Sequence, residues 1–171
     1  MGPKSKKQRV ESTIQAEIQQ TRPFRSPAHE TVVSLLRTAA MVERQLAKVI
    51  EPAGVTLSQY NVLRILRGAG DQGLPTLAVR DRMIETAPGV TRLLDRLESA
   101  GFVRRERSGP DRRRVLCWIT PAGHALLRQL DPVVDQTNEA AAGMLTAKEH
   151  RRLIRALDAI RAGAPLVAED E

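Results

Sequence analysis

Two neighbouring clusters of residues carry chemistry that a structural role alone does not require. The first spans Thr86–Ser99. On a helical wheel Val90, Leu93, Leu94 and Leu97 fall in one narrow arc, with Pro88, Arg92, Asp95, Arg96 and Ser99 opposite and Ala87 and Thr91 beside them. The outward face thus offers small residues at Thr86, Ala87, Pro88 and Gly89, then two guanidinium forks one turn apart. A slim first turn lets backbone approach a polyanion, and the unpaired N–H groups of a helix start can meet a phosphate. Arg92 and Arg96 can hydrogen-bond guanine edges or hold phosphates. Asp95 would repel phosphate, so it is expected to pair with a neighbouring arginine. Taken alone, the wheel fits an ordinary surface helix with charges at i,i+4 equally well.

The second cluster follows at once. Residues 102–114 carry Arg104, Arg105, Arg107, Arg112, Arg113 and Arg114 against Glu106 and Asp111, a net +4. Ser108-Gly109-Pro110-Asp111 is strong turn chemistry, and it separates two short strand-like segments, Phe102–Arg107 and Arg113–Ile119. Six arginines on one ribbon repel each other unless something anionic lies across them. A narrow minor groove concentrates negative potential of that kind.

The whole chain agrees with a polyanionic partner without requiring one. Its 171 residues carry 27 basic and 20 acidic side chains, a formal charge of +7. Apolar residues reach 42%, a globular value, but aromatics only 2%: Phe24, Tyr60, Phe102 and Trp118. Single-stranded nucleic acids are held by stacking on aromatic platforms, which are scarce here. Duplex binding stays open. The single cysteine, Cys117, excludes an intrachain disulfide or a multi-cysteine zinc site, which suits a reducing cytosol. No apolar run approaches the roughly 18 residues of a membrane span, and no signal-peptide core is present. The expectation is a soluble, cytoplasmic protein with no membrane contact.

Helices must position the two clusters. Residues 1–27 read as a basic arm containing Lys4, Lys6, Lys7 and Arg9, with Val10, Ile14 and Ile18 allowing a short amphipathic helix. His29 to about Ile50 carries an apolar stripe broad enough for burial on more than one side. Leu57–Arg67 is a second helix, capped by Thr56 or Ser58. Thr76–Met83 is a short third, and Thr86 is expected to cap the next, with Pro88 in its first turn and Gly101 ending it. After the hairpin, Thr120-Pro121 opens a further helix, in which Pro132 predicts a kink or restart capped by Asp131. Thr146-Ala147-Lys148-Glu149 is a capping box for the last helix.

Helix, helix and β-hairpin in succession at 74–119 is the winged helix-turn-helix arrangement, in which the second helix enters the major groove and the wing reaches the flanking minor groove or backbone. The fold class is mainly α with a small β-hairpin wing, plus a helical dimerisation region. The boundaries drawn are an arm at 1–27, a first dimerisation helix at 28–56, a DNA-binding domain at 57–120, dimerisation helices at 121–163 and a tail at 164–171.

The stretch Thr86–Gly101, then Phe102-Val-Arg-Arg-Glu-Arg107, then Asp111-Arg-Arg113, then Ile119-Thr-Pro-Ala-Gly123 resembles the MarR family of multiple-antibiotic-resistance-type regulators. The wing's Asp-x-Arg followed by the Ile-Thr-x-x-Gly ending is the more specific part. The likeness covers roughly 30–162 and leaves out the arm. It implies a homodimer held by the first and last helices, set on a pseudo-palindromic operator in double-stranded DNA. It implies a recognition helix from Thr86 to Arg96, a brace at Asp111 and a minor-groove finger at Arg113, with Arg107 and Arg112 beside them. It also implies a small aromatic or lipophilic effector, and repression rather than activation is expected. The two rival readings are a winged helix used for protein contact and a sequence-tolerant architectural DNA binder.

Little else in the chain competes. Relatives that sense oxidants place a reactive cysteine near the first helix, where this chain has none; Cys117 reads as an inert, buried or half-buried thiol. His29, His124 and His150 stand singly, without ligand spacing, so neither metal nor cofactor is expected. Trp118 reads as packing at the wing base rather than as a ligand sensor. Asp95, Glu98, Glu139 and Glu149 read as helix-surface acids, and no catalytic constellation is present.

Overall fold

The computed structural model describes residues 13–85, 89–107 and 115–163. The chain forms two compact units, Met1–Gln45 and Leu46–Glu171.

In the first unit a short helix, α1 (Thr13–Glu17), precedes α2 (Pro27–Ile50), which runs on into the second. α2 begins two residues ahead of expectation, because Ser26 Oγ accepts the His29 N–H at 3.1 Å and Pro27 takes a first-turn place that needs no donor. Phe24 is buried edge-on against the His29 ring, with centroids 5.3 Å apart. Ile50 is the only buried residue of α2 among those described, and Val32 and Leu36 are exposed.

The second unit holds α3 (Leu57–Ala69), β1 (Leu74–Pro75), α4 (Thr76–Arg80), α5 (Val90–Ser99), β2 (Val103–Arg107), β3 (Val115–Ile119), α6 (Pro121–Ala142) and α7 (Ala147–Gly163). α3 starts with a reciprocal capping box: Thr56 Oγ1 accepts from the Gln59 N–H, and Gln59 Oε1 accepts from the Thr56 N–H at 2.8 Å. Its Val62, Leu63 and Leu66 meet Val79, Leu94, Leu97, Val103, Cys117, Leu127 and Leu130 in one core. These aliphatic side chains replace the aromatics that the composition lacks.

The two strands of the expected hairpin pair antiparallel, within a three-stranded sheet in the order β1-β3-β2; the expected turn at Ser108–Asp111 lies outside the described residues. Arg105 lies opposite Cys117, and Leu74 lies opposite Cys117 from the other side. β1 has only two residues, one of them proline, too few to show a period in sequence. Gly73 precedes it with φ 64°, and a Cβ there would stand 2.5 Å from the Trp118 ring, so the indole lies flat over bare backbone.

Thr120 caps α6 by accepting the Gly123 N–H, with Pro121 in the first turn as expected. At Pro132 the helix does not restart: α6 is one helix from Pro121 to Ala142, and Asp131 is no cap, because its carboxylate is held by Arg67 Nη1 and Nη2 at 2.7 and 3.2 Å. Losing one backbone hydrogen bond is offset by burial of Leu127, Leu130 and Val134 around the proline. The capping box at α7 is formed, with Glu149 Oε2 accepting from the Thr146 N–H at 2.8 Å and from its hydroxyl at 2.7 Å.

Candidate nucleic-acid interface

α5 carries the arc drawn from its sequence. Val90, Leu94 and Leu97 are buried and Leu93 half-buried, while Thr91, Arg92, Asp95, Arg96 and Ser99 are exposed. Its start differs from expectation. Gly89, at φ 114° and ψ 24°, is the residue before the first turn, and the helix begins at Val90. A left-handed backbone cannot sit inside a right-handed helix. The cap of α5 is therefore Gly89; Thr86, Ala87 and Pro88, where the cap and first turn were expected, lie outside the described residues. The short supporting helix likewise stops at Arg80 rather than Met83.

The charges around α5 sort into two groups. Arg92 and Arg96 have no carboxylate within ion-pairing distance among the described residues. The acids of the helix point elsewhere, onto Arg105 of β2. Glu98 accepts from the Arg105 Nε at 2.8 Å, its Nη2 at 2.6 Å and its backbone N–H at 3.0 Å, and Asp95 accepts from the same Nη2 at 2.6 Å. Glu98 first, and then Asp95, holds the Arg105 guanidinium above its ordinary range. Asp95 does pair with an arginine, as expected, but the arginine comes from the wing. Glu98 is correspondingly more than a surface acid.

Arg104 is also engaged. Its guanidinium lies 4.2 Å over the Trp118 ring and pairs with Glu106. Trp118 in turn donates its indole N–H to the Asp71 carbonyl at 3.1 Å. Of the three arginines in β2, only Arg107 has no carboxylate partner among the described residues. Asp111, Arg112, Arg113 and Arg114 lie outside them. The count of six repelling arginines therefore overstated the free charge: two neutralise acids within the fold. The signal that could have shown this is the acid at Glu98, one helix end and one turn before a returning strand.

Cys117 is fully buried between the sheet and Thr76, whose hydroxyl lies 3.7 Å from its sulfur, and burial pushes the thiol pKa up. Among the described residues no cluster of three His, Cys, Asp or Glu side chains could hold a metal ion, and no helix is long and apolar enough to cross a membrane.

A short three-stranded sheet, a supporting helix and a helix that exposes Arg92 and Arg96 define a winged helix-turn-helix protein. The model of the MarR family matches residues 55–115. The transcriptional regulator HosA of Escherichia coli O157:H7 is 31% identical over 101 residues, 59% of this chain and 73% of that one. A MarR transcription factor from Planctomyces limnophilus is 36% identical in structural alignment, with a TM-score of 0.62 over 80% of this chain and 99% of the other. Sco3205 of Streptomyces coelicolor, a MarR-family regulator solved in complex with DNA, shares the fold at a TM-score of 0.74, with 23% identity over 88% of this chain and 96% of that one. The chain belongs to the MarR family.

Proposed function

We propose that this regulator binds a pseudo-palindromic operator in double-stranded DNA as a homodimer, represses the promoter beneath it, and is tuned by a small aromatic or lipophilic effector. One observation carries the reading. The acids of α5 are turned onto Arg105, which leaves Arg92 and Arg96 on its exposed face with no carboxylate partner among the described residues. In an ordinary surface helix Asp95 would pair with its own Arg92 or a neighbour one turn away. We assign base and phosphate contact to Gly89, Thr91, Arg92 and Arg96, with Thr86, Ala87 and Pro88 at the approach. Arg107, Arg112 and Arg113 contact the flanking groove, and Asp111 braces them. The Sco3205 complex with DNA supports DNA as the ligand of this fold.

Apolar surface supports the dimer. α7 buries no residue, and Leu153, Ile154 and Ile160 are 48%, 56% and 41% exposed. α2 separately exposes Val32 and Leu36. A second copy covers both faces and spaces two recognition helices about one DNA turn apart, ~34 Å. An effector that prefers another spacing then shifts the population away from DNA.

The test is selection of genomic fragments by the purified protein, followed by titration of the selected duplex and a scrambled one at two salt concentrations. A preference of at least ~10³-fold is expected, with affinity falling by orders of magnitude as salt rises. Arg113→Ala should cost about 1–3 kcal/mol on that duplex. Equal affinity for every duplex would make the protein an architectural binder. Salt-independent capture of a protein alone would make the wing a protein-contact module.

A further inference from the structure

Arg105 sits in the wing, carries a full positive charge and lies beside the reading helix, so composition alone would count it as a DNA ligand. The geometry gives it another task. Its three contacts with Glu98 and one with Asp95 use the backbone N–H, the Nε and the Nη2, and its side chain is only 21% exposed. β2 is an edge strand of the sheet, with β3 on its other side, and the Arg105 N–H goes to a helix carboxylate instead of a fourth strand. The same carboxylate thus holds the strand's backbone and its guanidinium.

We propose that Arg105 is a positioning residue: with Glu98 and Asp95 it clamps β2 to α5, fixing the wing's angle to the reading helix and removing two carboxylates from the face that meets phosphate. A planar fork suits this task, since it can engage two acids in fixed directions, whereas an ammonium is a point charge. Misdirection of either element breaks the simultaneous fit to adjacent grooves. The proposal rests on duplex binding by this face, but the clamp itself exists in the free protein, so the two ideas can fail separately.

The experiment compares wild type, Arg105→Ala, Arg105→Lys and Arg107→Ala for binding to the selected duplex across a salt series. It also measures amide hydrogen exchange over residues 103–107 in free wild-type and Glu98→Ala protein. Each phosphate contact contributes about 0.9 to the slope of log K against log salt. Both Arg105 variants should bind about tenfold more weakly with an unchanged slope, because the lysine keeps the charge but not the fork. Arg107→Ala should lower the slope by about 0.9. The Arg105 amide should exchange at least tenfold faster in Glu98→Ala. Restored binding in Arg105→Lys, together with a slope lowered by about 0.9 in Arg105→Ala, would show Arg105 to be a phosphate ligand and overturn the proposal. Unchanged exchange in Glu98→Ala would overturn it too, even if the protein favoured no duplex and the functional reading had already fallen.

Discussion

α5 and α7 are both amphipathic helices of the second unit, and they end up in opposite conditions. α5 puts Val90, Leu94 and Leu97 into the core and leaves a charged face outside. α7 has Leu153, Ile154, Leu157 and Ile160 at helical spacing, yet none of them is buried. The first helix is completed by its own chain, and its exposed side is free for an anionic partner. The second keeps its apolar stripe uncovered among the described residues. An apolar stripe in sequence says that a helix will be covered, but not by which molecule.

Four substitutions sharpen that contrast. Leu94→Ala should destabilise the fold by about 2–5 kcal/mol, because Leu94 is fully buried, and thermal unfolding at fixed protein concentration would show it. Ile154→Ala should instead act on assembly, weakening self-association by about 2 kcal/mol per buried side chain. Sedimentation across a dilution series measures that loss; a change in the fold of the isolated chain with unaltered association would break the comparison. Arg96→Ala, on the exposed side of α5, should leave stability alone and cost about 1–3 kcal/mol on the operator duplex, read by gel shift.

Thr146→Ala is the mildest, at about 1 kcal/mol from a lost cap. The hydroxyl and N–H of Thr146 hold the Glu149 carboxyl below its usual range. A carboxylate lowered on folding stabilises in full above its unfolded value, and that contribution fades as pH falls through the folded one. Acidification from neutral to about pH 3 should therefore fray the start of α7 in the wild type, and Thr146→Ala, which loses the hydroxyl but keeps the backbone N–H, should weaken that pH dependence, as amide exchange at 147–150 would report.

Much of the fold was readable because its signals are local. Thr56, Thr120 and Thr146 cap helices through atoms three residues away, and the arc of α5 follows from spacing alone. The failures are non-local or depend on backbone choice. β1 exists only because Leu74 and Pro75 meet β3 across more than 40 residues of chain. Pro132 stays inside α6 because tertiary burial outweighs its local cost. Thr86 and Pro88 look like a helix start, but the left-handed backbone at Gly89 sets the start at Val90. At the candidate interface, exposure of Arg92 and Arg96 was legible. The engagement of Arg104 by Trp118 and of Arg105 by Glu98 was not, since each needs the strand folded back beside its partner.

The indole at the root of the wing has one more consequence. Trp118 is the sole tryptophan in the chain, with a guanidinium on its face and its N–H tied to the Asp71 carbonyl. Its fluorescence therefore reports from a single place, where β3, β2 and the loop before β1 converge. Any tilt of the wing that loosens Arg104 or the Asp71 loop must change the emission, so the protein carries its own optical gauge of wing position and needs no attached dye.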